Sequence, residues 1–105
     1  YGLEIMRGMG LTVDMVKAGD TNMFQSELFS SAFATVSGTS VELYDTDGSE
    51  GAARGAGIGA GLFGSTSEAF RGMKLRRTVT PDASAAGAYA DAFWHWKEVL
   101  QAELR

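Results

Sequence analysis

The stretch from Val13 to Val36 constrains this chain more than any other, because it reads as a strand, a turn and a helix in succession. Leu11, Val13 and Met15 alternate within an apolar run from Leu11 to Val16, the pattern of a strand with one buried face. Lys17-Ala18-Gly19-Asp20 follows as a turn, and Asp20, Thr21 or Asn22 can cap a helix. Phe24, Leu28, Ala32 and Val36 then recur every four residues, with Phe29 and Phe33 beside them, as far as Gly38. Val41 to Tyr44 is a second strand. Two strands joined through a helix are expected to run parallel in an α/β fold.

The flanking sequence extends this pattern. Leu3 to about Met9 reads as the end of a helix closed by Gly10. Asp45-Thr46-Asp47-Gly48-Ser49 is a polar turn, and Glu50 to Leu62 a helix built almost wholly of Gly and Ala. Ser65-x-x-Glu68 is a capping box that opens a short helix through about Arg71. Thr78 to Pro81 is extended. Ala83 to Leu104 is a long amphipathic helix with Ala86, Tyr89, Phe93, Trp96 and Leu100 on one side. Trp94 falls off that side, where a partner domain could meet it. The predicted order is α-β-α-β-α-α-α. Two strands do not make an independently stable sheet, so further strands are expected from sequence upstream of Tyr1. The chain also opens inside a helical pattern. Residues 1–105 are therefore expected to be a single partial domain of a longer protein.

Charge and residue usage narrow the function classes. A formal net charge of −4 is a poor match for nucleic acid. The one dense basic cluster, Lys74, Arg76 and Arg77, is expected on a solvated loop. The chain has no cysteine and a single histidine, His95, so a zinc site of the usual kind lacks ligands. No apolar run reaches 18 residues, so no membrane partner is expected and the cytoplasm is the default compartment.

Several motifs read more simply as structure. Gly55-Ala56-Gly57-Ile58-Gly59-Ala60 has the letters of a dinucleotide fingerprint, but that motif must directly follow a strand. Gly51, Gly55 and Gly59, spaced by four, are expected to form a smooth groove for close packing. Asp45-x-Asp47-Gly48 lacks the glycine and glutamate positions of a calcium loop. His95, between Trp94 and Trp96, has no readable Ser or Asp partner. The turn at Lys17–Asn22 is more informative: a strand ending in small residues and feeding a helix N-terminus favours anions.

Taken in order, Val16-Lys17-Ala18-Gly19-Asp20-Thr21-Asn22, Phe24, Glu27, Val41 and Glu50-Gly51-Ala52-Ala53-Arg54-Gly55-Ala56 resemble the C-terminal lobe of the FGGY carbohydrate kinases, xylulose kinases above all. The similarity runs from Tyr1 to about Phe70, and the final helix fits the family's C-terminus. The resemblance implies part of a ribonuclease-H-like, actin-like ATPase fold. It also implies transfer of the γ-phosphate of Mg-ATP to a sugar hydroxyl, with xylulose as the expected sugar. By that resemblance Ala18 and Gly19 line the nucleotide phosphates and ribose, and Asn22 approaches the adenine. Lys17 and Asp20 stand where the family has a glycine and an alanine. Asp20 is expected to repel nucleotide, with Lys17 placed to offset it. The family's catalytic base is an aspartate in its other half, and Asp14, Asp45, Asp47, Asp82 and Asp91 lie outside any such motif. No catalytic residue is therefore expected here, and the piece alone is expected to be inactive. The implied partners are ATP or ADP, Mg²⁺ held mainly elsewhere, a sugar and the remainder of the kinase, with a homodimer left open. Two rival readings remain: a non-catalytic binding or scaffold module on the same fold, and an unrelated helical interaction domain.

Overall fold

The computed structural model describes residues 1–105. Strands β1 (Met15–Gly19) and β2 (Ser40–Tyr44) run parallel, with Val16 opposite Val41 and Ala18 opposite Leu43. Between them lie a 3-10 turn at Asn22–Gln25 and helix α2 (Glu27–Ser37). A third strand, β3 (Leu75–Val79), pairs antiparallel with β2, giving the order β1-β2-β3. Helices α1 (Gly2–Gly8), α3 (Gly48–Gly59), α4 (Thr66–Ala69) and α5 (Ala86–Glu103) complete a mixed α/β chain of five helices and three strands. No helix is long and apolar enough to cross a membrane.

The first strand sits later than its alternation suggests. Leu11 gives its backbone N–H to Met6 O at 3.1 Å, so the closing turn of α1 claims it before a strand can. Gly10, at φ +91°, makes that closure. The ladder starts at Met15, and the inward residues are Val16 and Ala18 rather than Val13 and Met15. A shift of one residue in register exchanges the two faces of a strand. Lys17, Ala18 and Gly19 thereby belong to the strand and not to a turn.

Helix α2 also presents a different face. Its cap is Ser26, whose Oγ accepts from Phe29 N at 3.2 Å, and it ends at Gly38 in the left-handed region (φ +64°). Ser30, Ala34 and Thr35 are the buried residues of the helix, Thr35 Oγ1 accepting from Asp82 N at 3.0 Å. Leu28 and Val36, expected inward, are exposed. Small side chains let the helix lie close over Val41 and Leu43. Phe24, Phe29 and Phe33 gather at its flank, with Phe24 edge-on to both others at 5.3 and 5.4 Å between centroids.

The third strand corrects the two-strand expectation, because a strand downstream of β2 joins the sheet. Leu75–Val79 includes Arg76 and Arg77, which were expected on a solvated loop. On α5, Lys97 replaces Trp96 on the inward side: its side chain is 14% exposed, and its Nζ lies over the rings of Tyr1, Phe93 and Trp94, 4.5 Å from the Trp94 ring centre. Its amine meets Glu4 at 2.9 Å and ties α5 to α1. Trp96 instead stacks on Phe93 at 5.8 Å and stays half-exposed. The glycine groove is likewise unfilled. A side chain at Gly51, Gly55 or Gly59 would meet nothing within 4 Å, whereas Gly57 is the position packed tightly, under the Phe63 ring.

The core is small. Ala34, Val41 and Leu43 form its centre, with Val16, Ala18, Phe24, Phe33 and Val79 partly buried around it. The accessible surface is 7214 Å², against about 5,700 Å² for a compact monomer of this mass. The radius of gyration is 16.3 Å, against about 13 Å for a compact domain of this length.

Candidate functional site

Parallel strands end on the same side of a sheet, so the loops after β1 and β2 converge. They border a concavity of about 630 Å³. Lys17, Ala18 and Gly19 form one wall and Tyr44 another. Thr46, Asp47, Gly48 and Gly51 bring in the start of α3. Thr66 and Ser67 of α4, with Phe70 and Met73 after it, close the far side. Ligands of open α/β sheets bind at this carboxyl edge.

The walls are narrow where the backbones meet and open where a ligand would enter. A β-carbon added to Gly19 would collide with the Thr46 carbonyl oxygen, so the ends of the two strands are in direct backbone contact. Nothing lies within 4 Å of side-chain positions at Gly48 and Gly51. Of the first-turn amides of α3, Glu50 N is taken by the Asp47 side chain and Gly51 N by the Asp47 carbonyl, which leaves Gly48 N and Ser49 N at the positive end of the helix dipole. Asp47 caps that turn, its Oδ1 accepting from Glu50 N at 2.9 Å. Glu50 is held by Arg54 at 2.7 Å and by the Thr46 hydroxyl at 2.8 Å. Hydrogen bonds from Arg54 and then Thr46 keep its carboxyl below the usual glutamate range. Arg54 also donates to the Ala69 carbonyl, which fixes α4 against α3.

A polar trio lies along the strand face beside the concavity. The Tyr44 hydroxyl donates to Glu42 Oε2 at 2.5 Å, and Lys17 Nζ lies 3.8 Å from the same oxygen. The hydrogen bond to Glu42, reinforced by desolvation and by the carboxylate's charge, raises the Tyr44 pKa above its ordinary 10.0. A phenol stabilised in its neutral form adds stability below the unfolded pKa, and that stability is lost as pH rises through the higher folded value. Replacing Glu42 with Gln is expected to bring the Tyr44 titration back toward 10, measured by ultraviolet absorbance of tyrosinate. An unchanged curve would contradict the hydrogen bond.

The four residues singled out by sequence separate in space. Ala18 and Gly19 line the concavity. Asp20 does not, because its carboxylate turns to β3 and lies 3.4 Å from Arg77 Nη2 and 3.7 Å from Arg76 Nη1. Asn22 opens the 3-10 turn with φ +52° and is exposed, away from the concavity walls. The 3-10 turn also keeps the α2 N-terminus from following the strand directly, so the helix end that reaches the concavity belongs to α3. Tyr44, Thr46, Gly48, Thr66 and Ser67 were not singled out beforehand. The turn at Asp45–Ser49 was the available signal, since it follows the second of two parallel strands.

The remaining motif residues have local partners. Asp45 pairs with Arg76 at 2.6 Å, and His95 is exposed on α5, 3.8 Å from Glu98. No three acidic or histidine side chains gather to hold a metal. A second concavity, about 640 Å³ between α1, α2 and α5, is lined mainly by Leu3, Phe29, Phe33, Val36 and Phe93. Its polar side chains, Glu4, Arg7 and Ser37, sit among this apolar lining, and Glu4 and Arg7 are engaged with Lys97 and Thr39. Compared with known proteins, the sequence matches no family model and no curated protein.

Proposed function

We propose that this chain forms part of the nucleotide-side lobe of an ATP-dependent sugar kinase of the FGGY type, built on the actin-like ATPase fold and acting on xylulose in the cytoplasm. The observation that carries the reading is the concavity at the carboxyl ends of β1 and β2, walled by Ala18 and Gly19 and floored by the open first turn of α3. Backbone amides at such a point suit nucleotide phosphates. Gly48 and Gly51 fit that approach because they add no side chain between ligand and backbone. In this reading Mg²⁺ is held by the nucleotide phosphates and mainly by residues elsewhere in the protein. Phosphoryl transfer is mostly positioning and charge stabilisation, and this chain contributes positioning. The base that accepts the sugar hydroxyl proton comes from outside residues 1–105. The large surface for the chain's mass also supports further protein packing against it.

The test is a coupled ADP-release assay on the full-length protein. Turnover dependent on xylulose is expected, and no sugar-dependent turnover across pentuloses, hexuloses and polyols would contradict the reading. A second reading, a non-catalytic module on the same fold, draws on the Asp47 carboxylate at the phosphate-facing helix end. Calorimetric titration with MgADP separates the two, since absence of binding favours the module.

A further inference from the structure

We propose that Asp20 is a positioning residue that strengthens nucleotide binding by latching the end of β1 to β3, the reverse of the repulsion its charge suggests. The inference rests on the nucleotide reading of the concavity. Asp20 follows Gly19 directly, and its backbone N–H donates to Tyr44 O at 2.8 Å, the last rung of the β1–β2 ladder. Its side chain is only 16% exposed. It points across the end of β2 to the two arginines of β3.

Arg77 sits opposite Leu43 and so faces α2. One of its nitrogens, Nη2, serves several acceptors at once. It donates to the Phe24 carbonyl, and it lies 3.4 Å from Asp20 Oδ1 and 3.5 Å from Ser30 Oγ. Ser30 is fully buried and donates to the same Phe24 carbonyl at 2.8 Å. Arg76 bridges Asp20 and Asp45, the first residues after β1 and β2. Two aspartates and two arginines balance, so the cluster presents no net charge to the concavity. Both strand ends, the 3-10 turn and α2 are thereby tied to one strand.

The wall of the concavity depends on this arrangement, because the Gly19 backbone lies against Thr46. A strand end that is latched only part of the time offers the binding geometry only part of the time. Apparent affinity then falls by the competent fraction. Asp20→Asn keeps the shape and removes the charge. In the full-length protein it is expected to weaken MgADP binding roughly tenfold, and to raise the ATP KM with little change in kcat. High salt during the titration screens the charge left on Arg76 and Arg77.

Hydrogen exchange of the 19–24 segment gives a readout independent of nucleotide. Faster exchange in Asp20→Asn, with the α5 amides unchanged, is the expected result. Arg77→Met is expected to reproduce it, since it removes the donor that meets Asp20, Phe24 and Ser30 together with its charge. Unchanged or tighter MgADP binding by folded Asp20→Asn would overturn the proposal. So would unchanged exchange at 19–24, even where the wild-type protein binds no nucleotide. Failure of the wild-type protein to bind MgADP, with faster exchange in the variant, would overturn the nucleotide reading and the affinity half of this proposal together, leaving only the latch.

Discussion

Leu43→Ala is expected to remove about 2–5 kcal/mol of stability, the usual range for truncating a fully buried leucine. Leu43 is the largest completely enclosed side chain, and its only fully buried apolar companions at the centre of the core are Val41 and Ala34. So small a core has little else to close around the cavity. Whole domains hold only about 5–15 kcal/mol of net stability, so the variant stands near its unfolding threshold. Urea denaturation of the protein checks this through a lower midpoint at unchanged slope. Leu28→Ala is the informative contrast. Leu28 is 74% exposed, and a surface truncation stays within about 0.5 kcal/mol. A cost at Leu28 close to that at Leu43 would show that another surface covers the outer face of α2.

Gly19→Val is the second large effect. The obstacle to a β-carbon at Gly19 is a backbone carbonyl, that of Thr46, which cannot rotate aside as a side chain could. Forced overpacking costs about 1–3 kcal/mol. Here it also pushes β1 away from the segment that leads into α3, widening the concavity where its walls meet. Loss of stability together with at least tenfold weaker MgADP binding is expected by denaturation and calorimetry. Gly55→Ala is the control within the same set of glycines. It sits in the interior of α3 with nothing within 4 Å of the added carbon, so it is expected to stabilise by about 0.5–1 kcal/mol. A destabilised Gly55→Ala would mean that the glycine face packs against something after all.

The parallel strand–helix–strand unit was legible in the sequence because Val41–Tyr44 and the helix before Gly38 carry strong local patterns. The placement of β1 was not, since two local patterns overlap at Leu11, the apolar alternation and the closure of α1 by Gly10, and only the pairing with β2 decides between them. β3 was hidden for a related reason. Leu75-Arg76-Arg77-Thr78-Val79 has too little alternation to announce a strand, and its arginines find their partners far away in the chain. The four-residue stripe on α2 misled because Ser30 and Ala34, unremarkable in composition, are what a close helix–sheet approach selects. Ala18 and Gly19, picked out at the first strand's end, line the concavity. Asp20 was read by its charge alone, and only the fold reveals that two arginines answer it. The second strand's turn, with Thr46 and Gly48, was within reach of the same reasoning applied twice.

The proposed function requires a nucleotide in the concavity between the ends of β1 and β2. Hydrogen–deuterium exchange of the full-length protein, with and without saturating MgADP, tests it most directly. Protection at segments 16–20 and 44–51, with any further protection limited to 66–73 across the concavity, is the predicted result. Saturating nucleotide that leaves both segments unchanged, or that protects a different region of residues 1–105, would contradict it.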